Sequence, residues 1–430
     1  MPPKKRDHGS GSIHQRADGL WIGQVRAGYT EAGKYRRLTV SAKTQAECKK
    51  KLERLRAQVA RDEAPTAGRL NVKAWSDAWL ARTVHEVRPT TFTDYQSNVY
   101  KWIVPTIGDR KLEMLTPADI YKVSDAVRAP DLKMKRKDGT LVYPNGRASS
   151  TARHVHIVLI DMLRAAMADG HPVPPRVLMV KAPVAGTSDR TDVPAADAIR
   201  ILAAASAHPD GSRWAAALLQ GIRQGEALGL TWDHVDLDGG TMDISWQLQD
   251  LPYRHGCGAP QNRTYPCGKR FGGHCALRQF RVPDGYESRQ LEGTWHLVRP
   301  KTAKGQRIIP MVPWLTAALA AWKQVAPVSP HGLVWPRPDG GPRRPSDDVE
   351  AWKQLQVAAG TAHPTGREWK LHEARHTTAT LLLDAGIDPM TVTAILGHSN
   401  IVTSRGYMHV SQVLARNAMD AVAARLQIGG

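Results

Sequence analysis

Two arginines, two histidines and one tyrosine in the second half of the chain could together attack a phosphodiester. They are Arg223, His372, Arg375, His398 and Tyr407. Arginine presents a fixed fork of N–H donors, and a phosphate has to be neutralised in this way before a phenolate can approach phosphorus. Singly, each residue has an ordinary structural explanation, such as a hydrogen-bonded core histidine or a packed tyrosine. Their joint order favours a reactive site with Tyr407 as the nucleophile.

The same stretch also satisfies the zinc-protease pattern H-E-x-x-H, with its histidines at His372 and His376. Such a site needs a third protein ligand. No glutamate follows Glu373, and Ala379 and Leu382 stand where the extended pattern requires glycine and histidine. The sequence therefore disfavours a metalloprotease.

Local signals suggest how the reactive residues are presented. His372 and Arg375 are three residues apart, so on a helix they share a face and can reach one ligand. That helix is expected to stop near residue 386, and a second one to end at Gly397 in a left-handed turn. His398 would then stand at a helix end, with its ring free to point into a cleft. Tyr407 is expected on a further short helical segment.

Composition indicates a DNA-associated protein. At 430 residues the chain can form two or three domains, and its net charge of +19 with a pI near 9.9 favours a polyanionic partner. Four cysteines argue against a disulfide scaffold and for the cytoplasm. No stretch approaches the roughly 18 apolar residues of a membrane span, and the basic N-terminus leads into no apolar core, so we expect no secretory signal.

Residues 1–63 are predicted to form a DNA-binding module. Residues 1–62 hold 15 Lys/Arg against 6 Asp/Glu. Residues 20–29 and 35–40 predict two strands around a turn, and residues 44–61 predict a helix. Lys49, Lys50 and Arg54 on that helix are candidate DNA contacts. The alternative is an ordinary solvated surface helix.

A helical domain is expected over residues 69–182, after a Pro- and Gly-containing linker. Residues 72–83, 90–104 and 153–169 have helical periodicity. Thr116 followed by Pro117 is a typical helix start. Residues 133–147 indicate a polar basic loop or hairpin, and a Pro-rich stretch from residue 172 closes the domain.

A mixed α/β domain is expected over residues 190–430. Residues 242–249 predict one strand, and residues 295–299 and 306–310 predict a strand pair around Lys301 and Lys304. Residues 413–426 are amphipathic, and their apolar face can pack on their own domain. The predicted fold class is therefore multidomain and mainly α with small β-sheets (α+β).

An insertion at about residues 250–294 carries three of the four cysteines. We interpret His255, Cys257, Cys267 and Cys275 as candidate ligands of a structural zinc ion that would order the loop, with His274 as a replacement for His255. No C-x-x-C pair is present, so free thiols in a loop remain the alternative.

Taken together, these motifs resemble the tyrosine recombinase family, and within it the integrases of phages and integrative elements. The matching stretches are Gly221-Ile222-Arg223-Gln224-Gly225-Glu226, Lys301, His372-Glu373-Ala374-Arg375, Leu396-Gly397-His398 and Tyr407-Met408-His409. The resemblance implies that the first domain grips distal arm sites. It also implies that the second and third domains clamp the crossover site. For residues 413–426 it implies the alternative that this segment docks on a neighbouring subunit.

The resemblance also implies a role for each residue. Arg223 and Arg375 would hold the non-bridging oxygens of the scissile phosphate, and Glu226 would support the site. His372 and His398 would donate further hydrogen bonds and assist proton transfer.

Tyr407 would attack phosphorus to give a 3′-phosphotyrosine, and Lys301 would protonate the leaving 5′ oxygen. The family's Lys-Thr pattern favours Lys301 over Lys304, and either lysine could instead bind backbone phosphates. The scheme implies no cofactor for catalysis, because arginines supply the charge stabilisation.

The implied partners are double-stranded DNA attachment sites, three further copies of the chain in a tetramer on DNA, and a directionality factor or a host DNA-bending protein. We expect no membrane partner and a cytoplasmic, nucleoid-associated location. Two alternatives remain: a chromosome-dimer resolvase similar to Xer proteins, which usually lacks an arm-binding module, and a DNA-binding protein that has lost its chemistry.

Overall fold

The computed structural model describes residues 12–29, 35–60, 70–132, 134–136, 138–186, 191–258, 264–301, 305–397 and 412–425. The chain divides into two compact units, residues 1–187 and 188–430. Among the described helices, none is both long enough and apolar enough to cross a membrane.

The first unit begins with a three-stranded antiparallel sheet and one helix. Strands β1 (Ser12–Gln15), β2 (Trp21–Tyr29) and β3 (Tyr35–Ala42) lie in the order β1-β2-β3. Helix α1 (Gln45–Ala60) packs on this sheet through Leu52 and Leu55, which meet Val25. The sequence predicted β2, β3 and α1 to within about two residues and missed β1, whose four residues are mostly exposed.

The rest of the first unit is helical. Its elements are α2 (Val72–Thr83), α3 (Pro89–Asn98), a π-helix (Val99–Ile103), α4 (Val104–Ile107), a 3₁₀ turn (Leu112–Met114), α5 (Pro117–Arg128), α6 (Ser149–Ala168) and α7 (Pro175–Leu178). Thr116 caps α5 through the N–H and carboxylate of Asp119, as its sequence predicts. Trp75 and Trp79 lie in the core.

One helix predicted over residues 90–104 is instead α3, the π-helix and α4 in succession. Pro105 lacks an N–H and its ring crowds the carbonyl four residues earlier, so a regular α-turn cannot continue through it. The chain widens just before this proline, and the N–H of Val104 bonds the carbonyl of Val99, five residues back.

The second unit is built on eight α-helices among its described residues. They are α8 (Ala195–Ser206), α9 (Ser212–Leu219), α10 (Gln224–Leu228), α11 (Pro313–Val325), α12 (Pro345–Ala358), α13 (Leu371–Asp384), α14 (Pro389–Leu396) and α15 (Gln412–Arg425). A buried ion pair joins α9 to α12, with 2.8 Å between Arg213 Nη2 and Asp348 Oδ2. Gln224 at the start of α10 donates to the same carboxylate at 3.0 Å. These contacts fix where α10 begins.

Two small sheets share this unit. Strands β4 (Val235–Asp236), β5 (Thr241–Ile244) and β11 (Arg307–Pro310) lie in the order β11-β5-β4. Strands β6 (Gln247–Asp250), β9 (Ser288–Glu292) and β10 (Trp295–Val298) lie in the order β6-β10-β9. A two-stranded stem, β7 (Tyr253–Arg254) and β8 (Gln279–Phe280), rises from the insertion.

Two strand predictions are wrong. The stretch 242–249 is two strands in different sheets, because the chain turns at the buried Trp246. The expected pairing of residues 295–299 with 306–310 does not form: β10 is flanked by β6 and β9, while β11 pairs with β5. Strand β9 is polar and exposed and shows no periodic pattern, so its pairing with one edge of β10 could not be predicted from the sequence.

Helix α15 packs on its own unit. Ala418, Met419 and Val422 are buried in the main core of residues 188–430. Of the two alternatives for the C-terminal segment, this is the one that the structure contains. The side chains of Val413 and Leu414, and residue Leu426, lie outside the described part.

Candidate active site

The candidate active site is organised around one buried carboxylate. Glu226, on α10, accepts from Arg223 Nη1 at 2.6 Å and from the Arg223 backbone N–H at 2.9 Å. Arg307, on β11, donates to both carboxylate oxygens, at 3.2 and 2.9 Å. Burial alone would raise the pKa of Glu226, but the two arginines hold this pKa below its ordinary value. The carboxylate is therefore an anion that fixes two cations.

Three arginines converge on the C-terminal end of α14. Arg307 Nε donates to the carbonyl of Ile395 at 2.8 Å, and Arg223 Nη2 donates to that of Gly397 at 2.8 Å. Arg375 Nη2 donates to the carbonyl between them, on Leu396. These carbonyls lack helical partners and carry the negative end of the helix dipole. The C-terminal end of α14 thus binds guanidinium groups from the start of α10, from β11 and from α13.

Glycines permit this convergence. Gly397 has φ 65° and ψ 46°, the left-handed terminator that the sequence predicts. Gly221 has φ +58°, and an added Cβ there would lie 2.6 Å from Leu396 and 3.0 Å from Thr378. Only glycine fits this close approach of the Arg223 turn to α14.

Arg375 is the most buried of the three cations. It is 2% exposed and also donates to the carbonyl of Gly221. Burial lowers the pKa of its guanidinium to about 9, and the positive charges of Arg223 and Arg307 contribute. Its Nε has no hydrogen-bond partner among the described residues. Three cations face one carboxylate, so the cluster has positive charge to spare for an anion.

His372 lies on the same helix as Arg375 but is exposed. Its ring meets that of His376 edge-on, with 4.8 Å between centroids. Glu373 is fully buried and receives both Nη atoms of Arg367, at 2.9 and 2.6 Å. A carboxylate engaged in this way cannot serve as a protease base. Among the described residues, neither histidine belongs to a cluster that could hold a metal.

The structure thus brings Arg223, Glu226 and Arg375 together. Lys301 is exposed, just beyond the end of β10. The other predicted site residues of this unit, Lys304, His398 and Tyr407, lie outside the described residues.

Sequence reasoning missed Arg307, which shares Glu226 with Arg223 and is almost fully buried. The only signal was an arginine at the start of the strand after the lysine loop. In the first unit, Lys49, Lys50 and Arg54 are all exposed on α1.

A second candidate site lies in the insertion. His255, Cys257, Cys267 and Cys275 each offer one ligand atom, and these atoms lie within 4.8 Å of one another. His255 Nδ1 is 3.3 Å from Cys267 Sγ and 4.0 Å from Cys257 Sγ. Zinc bonds of about 2.0–2.3 Å would place tetrahedral donors about 3.5–3.8 Å apart. The observed spacing is close to that, and the exposed His274 is not part of this group.

The thiols differ in their environments. Burial alone raises the pKa of Cys275, but the backbone N–H groups of Leu277 and Gly256, with the side chains of His255 and Cys257, lower it to about 6. Burial raises the pKa of Cys257. Cys275 therefore favours the thiolate, which is the form that binds metals.

Comparison with known proteins decides the family. The Phage integrase family model matches residues 286–413, and the model of the phage integrase N-terminal SAM-like domain matches residues 71–126. An integrase from Saccharopolyspora erythraea is 26% identical over 443 residues, covering 97% of this chain and 96% of that one. The chain belongs to the tyrosine recombinase family, of the integrase type. It is a site-specific recombinase, an enzyme that breaks and rejoins DNA.

Two further comparisons concern the fold and the resolvase alternative. The structure of the Tn1549 transposon integrase in complex with transposon right end DNA aligns with a TM-score of 0.56 at 18% identity, over 82% of this chain and 100% of that one. The predicted multidomain α+β fold is confirmed. A XerC recombinase from Bacillus subtilis is 33% identical over 26% of this chain and 38% of that one, so the resolvase alternative is no better supported. The Cys/His cluster lies outside both stretches that match the family models.

Proposed function

We propose that this recombinase is an integrase that recombines attachment sites of a mobile element through a 3′-phosphotyrosine intermediate. The observation that carries the proposal is the set of three arginines around Glu226 at the end of α14. The proposed catalytic residues are Arg223, Lys301, His372, Arg375, His398 and Tyr407.

In the proposed reaction, Tyr407 gives its phenolic proton to His372 or His398, and its Oη attacks the scissile phosphorus while the bond from phosphorus to the 5′ oxygen breaks. Lys301 gives its proton to that leaving oxygen, with Lys304 as the alternative donor. The phosphotyrosine retains the phosphoester for attack by the 5′ hydroxyl of the partner strand, which releases Tyr407. No bond energy from outside is needed, since one phosphodiester replaces another.

The arginines are suited to hold the phosphate. Arg223 is about a third exposed and keeps donors beyond those used on Glu226 and Gly397. Arg375 has an unpartnered Nε within the described structure. Arg307 is tied to Glu226 and to two backbone carbonyls, so we assign it a positioning role. His372 and His398 would add hydrogen bonds to the phosphate oxygens.

A nicked suicide substrate tests the proposal. On a duplex with the attachment site and a nick beside the crossover, the wild-type chain should form a covalent adduct, and Tyr407→Phe should form none. Arg223→Lys should cut adduct formation at least about 100-fold while leaving DNA affinity nearly unchanged. An undiminished adduct in Tyr407→Phe would sink the assignment of the nucleophile.

We further propose three DNA-binding domains. Residues 1–63 would hold arm sites through Lys49, Lys50 and Arg54, residues 69–182 would hold one side of the core site, and residues 190–430 the other. The functional assembly would be a tetramer on DNA in the nucleoid, assisted by a directionality factor or a DNA-bending protein. A chain that lacks residues 1–63 should retain core-site cleavage and lose arm-site binding in a mobility-shift assay. Equal arm-site binding by both chains would refute this division.

We also propose that the cluster of His255, Cys257, Cys267 and Cys275 holds a structural zinc ion. Support comes from the donor set and its near-tetrahedral spacing. Metal analysis should find one zinc per purified chain, and Cys257→Ser with Cys267→Ser should abolish it. Cys48→Ala, which removes the buried cysteine of α1, is the matched control and should keep the zinc. Equal metal content in all three proteins would exclude the site.

A further inference from the structure

We propose that part of the insertion, residues 253–281, is an additional DNA-binding surface that grips phosphates flanking the crossover site. We call it the basic knuckle. The inference rests on the proposed function only in taking attachment-site DNA as the substrate.

The charge of the basic knuckle is one-sided. It holds six Lys/Arg residues and no Asp or Glu: Arg254, Arg263, Lys269, Arg270, Arg278 and Arg281. Lys269, Arg270 and Arg278 are exposed and make no ion pair with any residue that the structure describes. Arg263 lies outside those residues.

The neighbouring strands are compensated differently. Arg299 pairs with Glu287 at 3.0 Å, and Arg337 pairs with Glu292 at 3.0 Å. Glu287 and Glu292 of the insertion thus pair with arginines that lie outside it. Residues 253–281 contain no Asp or Glu that could compensate their basic side chains, so the excess of positive charge is a local property of the basic knuckle. Unpaired cations of this kind attract phosphate.

The basic knuckle is a folded platform for these charges. Its β7–β8 stem is braced by Tyr253 stacked on Phe280, with 4.6 Å between ring centroids. A Cβ on Gly256 would lie 2.0 Å from the carbonyl of Leu277, and one on Gly272 would lie 2.8 Å from the backbone of Arg254. Such close backbone contacts fix residues 253–258 and 264–281 relative to each other, and the four candidate ligands lie together within these residues.

An exposed aromatic ring lies beside one of these cations. Phe271 is 59% exposed, and the Arg270 guanidinium lies 5.3 Å from its ring centroid. Leu277 is also exposed, at 63%, and the exposed cations Lys269, Arg270 and Arg278 belong to the same segment. Lys and Arg are the side chains that bind a sugar-phosphate backbone, and a segment without any acid favours this polyanion as its partner.

The basic knuckle is placed where flanking DNA would pass. It follows β6, which packs on α10 next to Arg223. In the β6–β10 register, Asp250 pairs with Trp295 at the insertion end, and Gln247 pairs with Val298 near Lys301. The two ends are separated by a four-residue strand, about 13 Å. A duplex bound at the active site would therefore pass the basic knuckle within about one helical turn of the crossover.

The test uses the full chain with Tyr407→Phe, so that binding is measured without cleavage. The triple variant Lys269→Gln, Arg270→Gln, Arg278→Gln is compared with the charge-retaining control Lys269→Arg, Arg270→Lys, Arg278→Lys. Zinc content and circular dichroism verify that both are folded. On a core-site duplex, the Gln variant should lose at least about tenfold in affinity, and its slope of log K against log salt should fall by about 2–3. The control should match the parent chain.

Footprinting of the same proteins localises the contact. The Gln variant should lose backbone protection on one side of the crossover, within about one turn. Unchanged affinity, slope and footprint would overturn the inference, as would unchanged DNA binding with a lost protein–protein contact. A covalent adduct that survives Tyr407→Phe would refute the proposed function separately, because the binding comparison needs no cleavage.

Discussion

The arginine cluster and the Cys/His cluster each bring several polar side chains close together, but their members differ in how far apart they lie in the sequence. Arg223, Arg307 and Arg375 come from elements spread over more than 150 residues, and one buried carboxylate holds two of them. The four zinc-ligand candidates come from a stretch of 21 residues, positions 255–275. The first site depends on the whole unit being folded, whereas the second depends on its own loop and on the proposed metal. Each should therefore fail in its own way.

The largest effect should follow removal of the proposed zinc. Structural zinc contributes about 10 kcal/mol or more to small zinc-dependent folds, so a chelator should unfold the insertion. The core of residues 188–430 should persist, because the cluster of Trp335, Trp352 and Trp369 lies outside it. Limited proteolysis should cut within residues 253–281 only after chelation, while the main thermal transition is retained. If chelation unfolded the insertion and the core of residues 188–430 in one transition, the two sites would not be independent.

The next effect is global. Glu226→Gln should destabilise the unit by about 3–5 kcal/mol, because it removes a buried anion and leaves the buried guanidinium of Arg307 without it. Glu287→Gln, which removes a half-exposed carboxylate from an ion pair on the same unit, is the control and should cost about 0–1 kcal/mol. Urea unfolding measures both. Equal losses of unfolding free energy in the two variants would show that Glu226 does not stabilise the arginine cluster more than an exposed ion pair would.

The same carboxylate gives a pH dependence. The pKa of Glu226 is lowered in the folded chain, so its stabilisation is complete above the unfolded pKa of about 4.3 and is lost as pH falls through the lower folded value. Glu226→Gln should thus show a smaller loss of stability between about pH 5 and 3 than the wild-type chain. Parallel acid-denaturation curves for the two proteins would contradict this linkage.

Arg307→Lys should act on positioning. A lysine keeps the charge but cannot span both oxygens of Glu226 and the Ile395 carbonyl. We expect adduct formation to slow by about 10- to 100-fold with little change in DNA affinity. Lys323→Arg, at an exposed position of α11, is the neutral comparison. A purely structural role would instead lower stability and leave the rate of the folded fraction unchanged.

The smallest effect separates two glycines of the same geometry. Gly397 and Gly268 have φ of 65° and 66°. Alanine at either position should cost about 1 kcal/mol of backbone strain. At Gly397 the cost should appear in thermal unfolding of the unit, and at Gly268, where an added Cβ meets nothing within 4 Å, only in metal affinity.

Short-range chemistry was predictable from the sequence. The Thr116 cap, the left-handed Gly397 and the grouping of four cysteine and histidine ligands all follow from a few neighbouring residues. Arg307 and the strand pairings were not predictable, because they depend on which distant strand occupies each sheet edge. The polar β9 lies at one such edge and shows no periodic pattern.

Strand β10 is a short, buried strand that connects the insertion at one end to the proposed proton donor beyond the other. His296, Leu297 and Val298 are buried along its length, the insertion leaves at one end, and Lys301 follows the other. If a strand of about 13 Å tilts by about ten degrees about its middle, each end moves by about 1 Å. A change of about 1 Å in the distance between donor and acceptor is enough to impair proton transfer. A displacement of the insertion would thus also move Lys301, the proposed proton donor, with no residue between them changing its partners.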